Sequence, residues 1–254
     1  MEGLILAAGL GTRLQPLTNN RPKALVEIPL TPLGNSPKAG EQSGVTLLER
    51  AIKKLEDAGI GHIVINVHHF ADKVIDFVNS HHWQATIDIS DEREQLLDTG
   101  GGLKKAAPLF SGKENVLVHN VDILSDIDMR EVEAFHRGQG NLVTLCVSQR
   151  ETKRMLEFDE NGLLVGRWPH PPVLSPREEG ENTLAFSGVS VVSPALFQLL
   201  PEADHPYPII DEYIRLSGMH YRIGSFRHSA EHWLDVGKPE TLEMARQWTL
   251  SSNK

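Results

Sequence analysis

Apolar and polar residues follow two periods along this chain, one typical of helices and one typical of strands. Residues 46–58 have the apolar spacing of an amphipathic helix that ends at Gly59, and residues 62–67 have the pattern of a buried strand. Further helices are predicted at 71–79, 101–108 and 129–137, and further strands at 85–89, 116–121 and 142–147. This alternation predicts an α/β fold, Rossmann-like, with a mixed, mostly parallel sheet, helices on both faces, and ligands at the carboxyl ends of strands.

Two segments interrupt the alternation. Residues 30–44 are rich in Pro, Gly, Ser and Lys, which predicts an inserted surface loop, and residues 169–181 hold four prolines and an acidic run, which predicts an irregular loop. The second loop lies between a hairpin pattern at 156–163 and a strand at 184–192. Helices after Pro194 and Pro208 and a strand at 221–226 complete the sheet. We therefore expect one domain over residues 1–254.

Composition narrows the class of protein. The chain has 254 residues, of which 40% are hydrophobic and 23% charged, as in globular domains. Its single cysteine, Cys146, excludes an internal disulfide and a cysteine-based zinc cluster. The first residues have a strand pattern without a basic leader, and no apolar run reaches the ~18 residues that cross a bilayer. Net charge −9 argues against a nucleic-acid-binding surface. We expect a cytoplasmic protein with neither membrane nor nucleic acid as a partner.

A glycine-containing loop follows the first predicted strand. Gly9 and Gly11 allow a tight turn in which successive backbone amides point at anionic oxygens, and Arg13 and Lys23 add positive charge. A dinucleotide fingerprint would need a third glycine where this chain has Leu14, and the chain contains no G-x-x-x-x-G-K-[ST] motif. The loop therefore predicts a phosphate site that is neither a Rossmann dinucleotide site nor a Walker site.

The pattern L-A-A-G-x-G-T-R-L-x-P-L-T, followed by P-K-x-L-V, resembles the sugar-1-phosphate nucleotidylyltransferases. The resemblance covers almost the whole chain except 30–44 and 169–181, and it implies the nucleotide-diphospho-sugar transferase fold. It also implies an enzyme that condenses a nucleoside triphosphate with a sugar 1-phosphate and releases pyrophosphate, acting as a monomer or small homo-oligomer. The uridylyltransferases of the family are most similar, which favours UTP. Mannose- or heptose-1-phosphate guanylyltransferases share the front half of the pattern.

The sequence is also compatible with two further functions. Val121 stands where relatives usually have the glycine of a G-D pair, which would fit a non-catalytic nucleotide-sugar-binding regulator. A cytidylyltransferase acting on the phosphate of a non-sugar alcohol would fit as well, because it would share the glycine loop.

Two aspartates are candidate metal ligands. Asp122 ends the apolar strand pattern at 116–121, and Asp235 lies in the segment His-Trp-Leu-Asp-Val-Gly ahead of a C-terminal helix. Joining two phosphate compounds requires charge neutralisation, and Mg²⁺ prefers one or two carboxylates together with phosphate oxygens. In the family that the chain resembles, the corresponding aspartates hold magnesium, so Mg²⁺ is the expected cofactor.

The resemblance also assigns the remaining roles. The candidate catalytic residues are Arg13, Lys23 and Asp122. The candidate nucleotide-binding residues are Leu6, Ala7, Ala8, Gly9, Gly11, Thr12, Arg13, Gln95, Thr99 and Gly100, with Gln95 equally suited to facing solvent. The candidate residues for the sugar phosphate are Lys23, Glu157, Ser187 and Gly188, because a glycine inside a strand often marks the close approach of a ligand.

Overall fold

The computed structural model describes residues 1–29, 44–168 and 182–247. The strands of this part are β1 (Glu2–Leu6), β2 (Glu27–Pro29), β3 (Gly44–Thr46), β4 (His62–Val67), β5 (Thr86–Asp91), β6 (Val116–Asn120), β7 (Ile123–Ser125), β8 (Val143–Ser148), β9 (Met155–Phe158), β10 (Leu164–Trp168), β11 (Thr183–Val192), β12 (Ile223–Arg227) and β13 (Trp233–Asp235). Its α-helices are α1 (Leu47–Asp57), α2 (Ala71–Asn79), α3 (Asp98–Ala106), α4 (Met129–Gln139), α5 (Leu196–Leu199), α6 (Ile209–Gly218) and α7 (Pro239–Gln247).

Both predicted loops fall largely or wholly outside these residues. The predicted loop at 169–181 lies outside the described part, as does the predicted insertion at 30–44 except for its last residue. That residue, Gly44, instead begins β3, where it pairs with Pro29 of β2.

The central sheet is mixed. Strands β5, β4, β1 and β6 run parallel in that order, and Leu4 of β1 lies between Val64 of β4 and Val118 of β6. Beyond β6 the direction reverses, because β11 is antiparallel to β6 and also pairs with β8 and β9. Strand β12 runs parallel to β8. The structure confirms the predicted mixed sheet, whose continuous parallel part carries the N-terminal strand.

Helices cover both faces of this sheet. Leu4 and Ile5 are adjacent in β1 and fully buried, but they belong to two different apolar clusters because successive side chains of a strand point to opposite faces. Helices α1, α2, α4 and α7 contribute to the cluster of Ile5, and α3, α5 and α6 contribute to that of Leu4. This arrangement confirms the prediction and explains why strands such as β1 and β4 are apolar throughout.

The helix boundaries follow local capping rules. The Thr46 side chain accepts a hydrogen bond from the backbone amide of Glu49 (3.1 Å) and caps α1. Asp128 caps α4 in a similar way, because its side chain accepts a hydrogen bond from the backbone amide of Arg130 (2.8 Å). Helix α3 begins at Asp98 rather than at the predicted residue 101, because its glycines are part of the helix.

The carboxyl ends of β1, β4 and β6 meet at one edge of the sheet. The backbone of the C-terminal segment reaches this edge through β13, which pairs antiparallel with β7 and places Asp235 opposite Ile123. The amide of Val236 donates a hydrogen bond to the carbonyl oxygen of Asp122 (2.9 Å), which joins the two segments directly. None of the helices in the described ranges is long and apolar enough to span a membrane.

Candidate functional site

One cavity, which we call the loop cavity, lies over the glycine loop at the sheet edge. Its volume is about 610 Å³. The residues that line it are Leu6, Ala7, Ala8, Gly9, Leu10, Gly11, Thr12, Arg13, Lys23, Asn66, Leu96, Asp98, Thr99, Asn120, Val121, Asp122, Pro206 and Gly237. Eight of these residues are consecutive in the sequence. One short segment therefore supplies 8 of the 18 residues that line the loop cavity.

A buried chain of hydrogen bonds holds the start of the glycine loop. The Asn66 side-chain oxygen accepts from the backbone amides of Ala7 (2.6 Å) and Ala8 (3.2 Å). The Asn66 side-chain nitrogen donates to Oε1 of Glu92 (2.7 Å), which is fully buried and also accepts from the amide of Leu97 (3.1 Å). Burial raises the pKa of Glu92. The amides of Ala7 and Ala8 are consequently engaged within the protein.

The amides that remain for an anion come later in the loop. No acceptor is found among the described residues for the backbone amides of Gly9, Leu10 and Gly11. Gly11 has φ +65°, and its carbonyl oxygen accepts a hydrogen bond from the Thr18 hydroxyl (2.8 Å). A side chain at Gly11 would be strained in this left-handed conformation. Among residues 7–11, the amides of residues 9–11 are therefore those that remain available to an anion.

Two cations flank the loop. Lys23 is buried, and its ammonium group forms an ion pair with Asp122. Arg13 is exposed, and its guanidinium group lies beside Gly237, where an added Cβ would come within 2.5 Å of Arg13 Nη2 and 2.6 Å of Asp235 Oδ1. The absence of a side chain at Gly237 therefore leaves room for the side chains of both Arg13 and Asp235.

Asp122 and Asp235 lie side by side where the two segments join. Burial and the neighbouring charge of Asp122 raise the pKa of Asp235, whereas Lys23 and Arg13 act in the opposite direction. Oδ1 of Asp235 is buried and accepts no hydrogen bond from the described residues. Two adjacent carboxylates, one with an unpartnered oxygen, fit the preference of a divalent cation for oxygen ligands. Within residues 1–29, 44–168 and 182–247, no group of three or more His, Cys, Asp or Glu residues is suited to a metal.

A second cavity, which we call the arginine cavity, adjoins the first and has a volume of about 530 Å³. The residues that line it are Leu6, Asp98, Thr99, Leu103, Val118, Asn120, Ile123, Arg150, Thr152, Arg154, Leu156, Arg167, Phe186, Gly188, Ser190, Pro208, Ile209, Ile210, Tyr213, Trp233 and Asp235. Four residues line both cavities: Leu6, Asp98, Thr99 and Asn120. A ligand in one cavity can therefore contact a ligand in the other.

Most of the candidate residues from the sequence line one of these cavities. The loop cavity contains Leu6, Ala7, Ala8, Gly9, Gly11, Thr12, Arg13, Lys23, Thr99 and Asp122, and the arginine cavity contains Gly188 and Asp235. Gly188 has φ +74°, and an added Cβ would lie 2.7 Å from Cγ1 of Ile123. A glycine is thus needed at this point of β11.

Four candidate residues line neither cavity. Gln95 is exposed, and Gly100 is buried where an added Cβ would lie 2.3 Å from the ring of Tyr207, so Gly100 serves packing. Glu157 follows the cavity-lining Leu156 in β9 and therefore points to the other face of the sheet. Ser187 is fully buried, and its hydroxyl is hydrogen-bonded to Nε2 of His228 (2.7 Å).

The sequence reasoning assigned no role to several residues of the site. Asn66 and Glu92 anchor the glycine loop, and Arg150, Arg154 and Trp233 line the arginine cavity. One signal could have drawn attention to the arginines, because the basic stretch Arg-Glu-Thr-Lys-Arg begins three residues after the end of a predicted buried strand. The role of Asn66 had no comparable signal, because its partners are distant in the sequence.

The chain is similar in sequence to a known family and to proteins of known function. The family model described as nucleotidyl transferase matches residues 2–252. The chain is 42% identical over 243 residues to N-acetylmuramate alpha-1-phosphate uridylyltransferase of Caulobacter vibrioides, with 93% of this chain and 92% of that protein covered. It is 28% identical to mannose-1-phosphate guanyltransferase of Debaryomyces hansenii, with 94% of this chain but only 62% of that protein covered.

A solved structure supports the fold assignment. The structure of HddC from Yersinia pseudotuberculosis complexed with GMP-PN superposes with a TM-score of 0.72 at 21% sequence identity, covering 97% of this chain and 98% of that chain. The family model and the Caulobacter relative each cover nearly the whole sequence. On this basis, the chain belongs to the nucleotidyl transferase family.

Proposed function

We propose that this protein is a uridylyltransferase that condenses UTP with N-acetylmuramic acid 1-phosphate to give a nucleotide sugar and pyrophosphate. The observation that carries the proposal is the junction of the two cavities, because the loop cavity contains Asp122 and the adjoining arginine cavity contains Asp235. A donor and an acceptor held in these cavities would meet at the two carboxylates. The 42% identity to a protein named for this reaction supports the choice of substrates.

In this proposal the loop cavity holds the triphosphate. The amides of residues 9–11 and the Arg13 guanidinium bind its phosphates, and Lys23 orients the reacting groups. An oxygen of the sugar 1-phosphate forms a bond to the α-phosphorus, the bond from that phosphorus to its bridging oxygen breaks, and the electron pair leaves with pyrophosphate. Two unit charges 4 Å apart repel by about 4 kcal/mol at an effective dielectric of 20, so the cations are needed for the two anions to approach.

Asp122 and Asp235 would hold a divalent cation, which is Mg²⁺ in this proposal. When bound, the cation neutralises charge on the phosphate groups. The unpartnered Oδ1 of Asp235 supports this role, because a buried carboxylate oxygen without a partner is costly. Before a metal or substrate is present, the ammonium group of Lys23 balances the charge of Asp122.

The charge of the arginine cavity favours an acidic acceptor. N-acetylmuramic acid 1-phosphate carries a carboxylate in addition to its phosphate, and guanidinium groups suit both. Arg154 lines the cavity, is exposed, and forms no ion pair within the described ranges. The second candidate function is a mannose- or heptose-1-phosphate guanylyltransferase, which the 28% identity to a mannose-1-phosphate guanyltransferase favours.

The same proposal extends to the domain organisation, cellular location, oligomeric state and partners of the enzyme. We infer a single catalytic domain over residues 1–254 that acts in the cytoplasm, where nucleoside triphosphates are available, as a monomer or small homo-oligomer. Its partners are the nucleoside triphosphate and the sugar 1-phosphate. Gel filtration with light scattering would measure the oligomeric state directly.

The experiment that tests the function is pyrophosphate release with Mg²⁺. Each of UTP, GTP, CTP, dTTP and ATP is paired with N-acetylmuramic acid 1-phosphate, N-acetylglucosamine 1-phosphate and mannose 1-phosphate. We expect release with UTP and N-acetylmuramic acid 1-phosphate. Release only with GTP and mannose 1-phosphate would support the second candidate. No release from any pair, with a nucleotide sugar still raising the melting temperature, would support a non-catalytic regulator.

A further inference from the structure

The arginine cavity contains a half-buried guanidinium group that the family resemblance did not assign. Arg150 follows β8, and its side chain lines the cavity together with Phe186, Gly188 and Asp235. Its Nη2 donates a hydrogen bond to the carbonyl oxygen of Phe186 (2.5 Å). The group is therefore held at the wall of the cavity.

Within the described part of the chain, the charge of Asp235 acts on Arg150, but no close ion pair forms. No carboxylate of these residues forms an ion pair with it, and its Nε is buried without an acceptor. Burial lowers the pKa of Arg150, and the charge of Asp235 opposes that effect. A buried cation is costly unless it is paired, and a buried N–H without an acceptor adds to that cost. An anion bound in the cavity would pair with this charge.

Trp233 fixes the orientation of this guanidinium. Cζ of Arg150 lies over the Trp233 ring, 3.9 Å from its centre, so the ring occupies one side of the guanidinium. The indole nitrogen of Trp233 donates to the carbonyl oxygen of Ser187 (2.8 Å), which fixes the ring in turn. Because the ring occupies one side, the guanidinium can bind a ligand through its remaining N–H groups, and guanidinium groups bind phosphate with two such hydrogen bonds.

The position of Trp233 shows where Arg150 lies relative to the carboxylates of Asp122 and Asp235. Trp233 and Asp235 are two residues apart in β13, so their side chains point to the same side of that strand. Arg150 therefore lies on the side of the arginine cavity nearest the two carboxylates. By contrast, the guanidinium of Arg167, which lines the same cavity, is already paired with Asp211.

We propose that Arg150 binds the 1-phosphate of the acceptor and holds it for attack on the nucleotide. This inference rests on the proposed function, and it assigns the attacking phosphate to a residue outside the glycine loop. Arg13 and Lys23 then serve the triphosphate, so the two anions have separate cationic partners. This separation predicts that mutations can weaken the binding of one substrate without weakening the binding of the other.

The test compares steady-state kinetics of wild type, Arg150→Gln and Arg150→Lys. Arg137→Gln is the control, because Arg137 is exposed, pairs with Glu133 and lines neither cavity. We expect Arg150→Gln to raise KM for the sugar 1-phosphate about thirtyfold, the size expected for losing a charge-assisted hydrogen bond, with KM for the nucleotide changed by less than about twofold. Arg150→Lys keeps the charge but loses the planar fork, so it should recover part of the loss.

Two results would overturn the assignment. One is a KM for the sugar 1-phosphate within about threefold of wild type in Arg150→Gln, and the other is an equal rise in KM for both substrates, as general damage would cause. Melting temperatures show whether each variant folds, and Arg150→Lys carries the test if Arg150→Gln does not fold.

A binding measurement separates this inference from the proposed function. If wild type releases no pyrophosphate with any pair, the proposed function fails, and calorimetric titration with N-acetylmuramic acid 1-phosphate then tests Arg150. The assignment stands if wild type binds this probe and Arg150→Gln binds it at least about tenfold more weakly. It is overturned if both bind alike or if wild type does not bind.

Discussion

The loop cavity and the arginine cavity adjoin, but the chain builds them in different ways. The loop cavity takes eight consecutive lining residues, 6–13, from one segment. The arginine cavity takes its lining from β6, β9, β11, α6 and β13, which are distant in the sequence. A site made of backbone amides needs one fixed loop conformation, whereas a site made of side chains needs only that several elements converge. The first kind leaves a motif in the sequence, and the second does not.

The largest expected effect comes from a residue at the junction of the two cavities. Asp122→Ala removes one of the two proposed metal ligands and the partner of Lys23. We expect kcat to fall at least about a hundredfold, equivalent to about 2.7 kcal/mol of transition-state stabilisation. The measurement is pyrophosphate release at saturating substrates.

The matched control is Asp126→Ala, because Asp126 pairs with His232 and lines neither cavity. It should retain nearly full turnover. Activity of Asp122→Ala within about threefold of wild type would contradict the assignment of Asp122.

A smaller effect is expected where the loop cavity depends on a side chain from another strand. Asn66→Ala removes the hydrogen-bond partner of the amides of Ala7 and Ala8 and of Oε1 of the buried Glu92. We expect the free energy of unfolding to fall by about 2 kcal/mol and KM for the nucleotide to rise, because unsatisfied buried groups are costly. Urea denaturation and steady-state kinetics measure the two effects.

Asn79→Ala is the control for this variant, because Asn79 is exposed at the end of α2. Its stability should match that of wild type. An Asn66→Ala variant with unchanged stability would mean that the glycine loop does not depend on this side chain.

Gly9→Ala separates ligand binding from folding. An added Cβ at Gly9 meets nothing within 4 Å, and the same is true of Gly61, which lies outside both cavities. We expect both alanine variants to melt like wild type. If phosphates approach the backbone at Gly9, only Gly9→Ala should raise KM for the nucleotide, by about tenfold or 1.4 kcal/mol, with KM for the sugar 1-phosphate unchanged. An equal KM for the nucleotide in both variants would argue against close approach at this point.

The smallest effect concerns a histidine that belongs to neither cavity. The ring of His136 is buried, with hydrogen bonds to the hydroxyls of Thr144 (2.9 Å) and Ser193 (3.0 Å), and burial lowers its pKa to about 4. As the pH falls, His136 of the unfolded chain is therefore protonated near the usual pKa of about 6.5, whereas His136 of the folded chain is protonated only at lower pH. The contribution of His136 to the free energy of unfolding should be fully present above that pH and should decrease as the pH falls towards 4.

We expect His136 to contribute a loss of about 1 kcal/mol between pH 7 and pH 5.5. Denaturation of wild type and His136→Gln over this range isolates the contribution, because the buried His119 shifts in the same direction in both proteins. Parallel stability curves for the two proteins would contradict the assignment, and KM values should not follow this titration.

Much of the fold could be predicted because the sequence patterns that specify single helices and strands are local. The apolar patterns of α2 and β4 gave the bounds that the structure has, since each pattern reflects which side chains of one element are buried. Helix α3 was predicted to begin three residues too late because glycine disfavours helices in isolation, whereas Gly100 is required here for packing against Tyr207. Tertiary packing overrode the local preference.

The same distinction between local patterns and tertiary contacts applies to the candidate site. The sequence by itself determined the glycine loop, its cations Arg13 and Lys23, and the strand that precedes them, because these depend on adjacent residues. Only the tertiary structure decided that Asn66 engages the amides of Ala7 and Ala8, that Ser187 is turned towards His228, and that Arg150 stacks on Trp233. Each of these contacts joins residues far apart in the chain. Their distance and orientation follow from how the strands are ordered and paired, which no local pattern encodes.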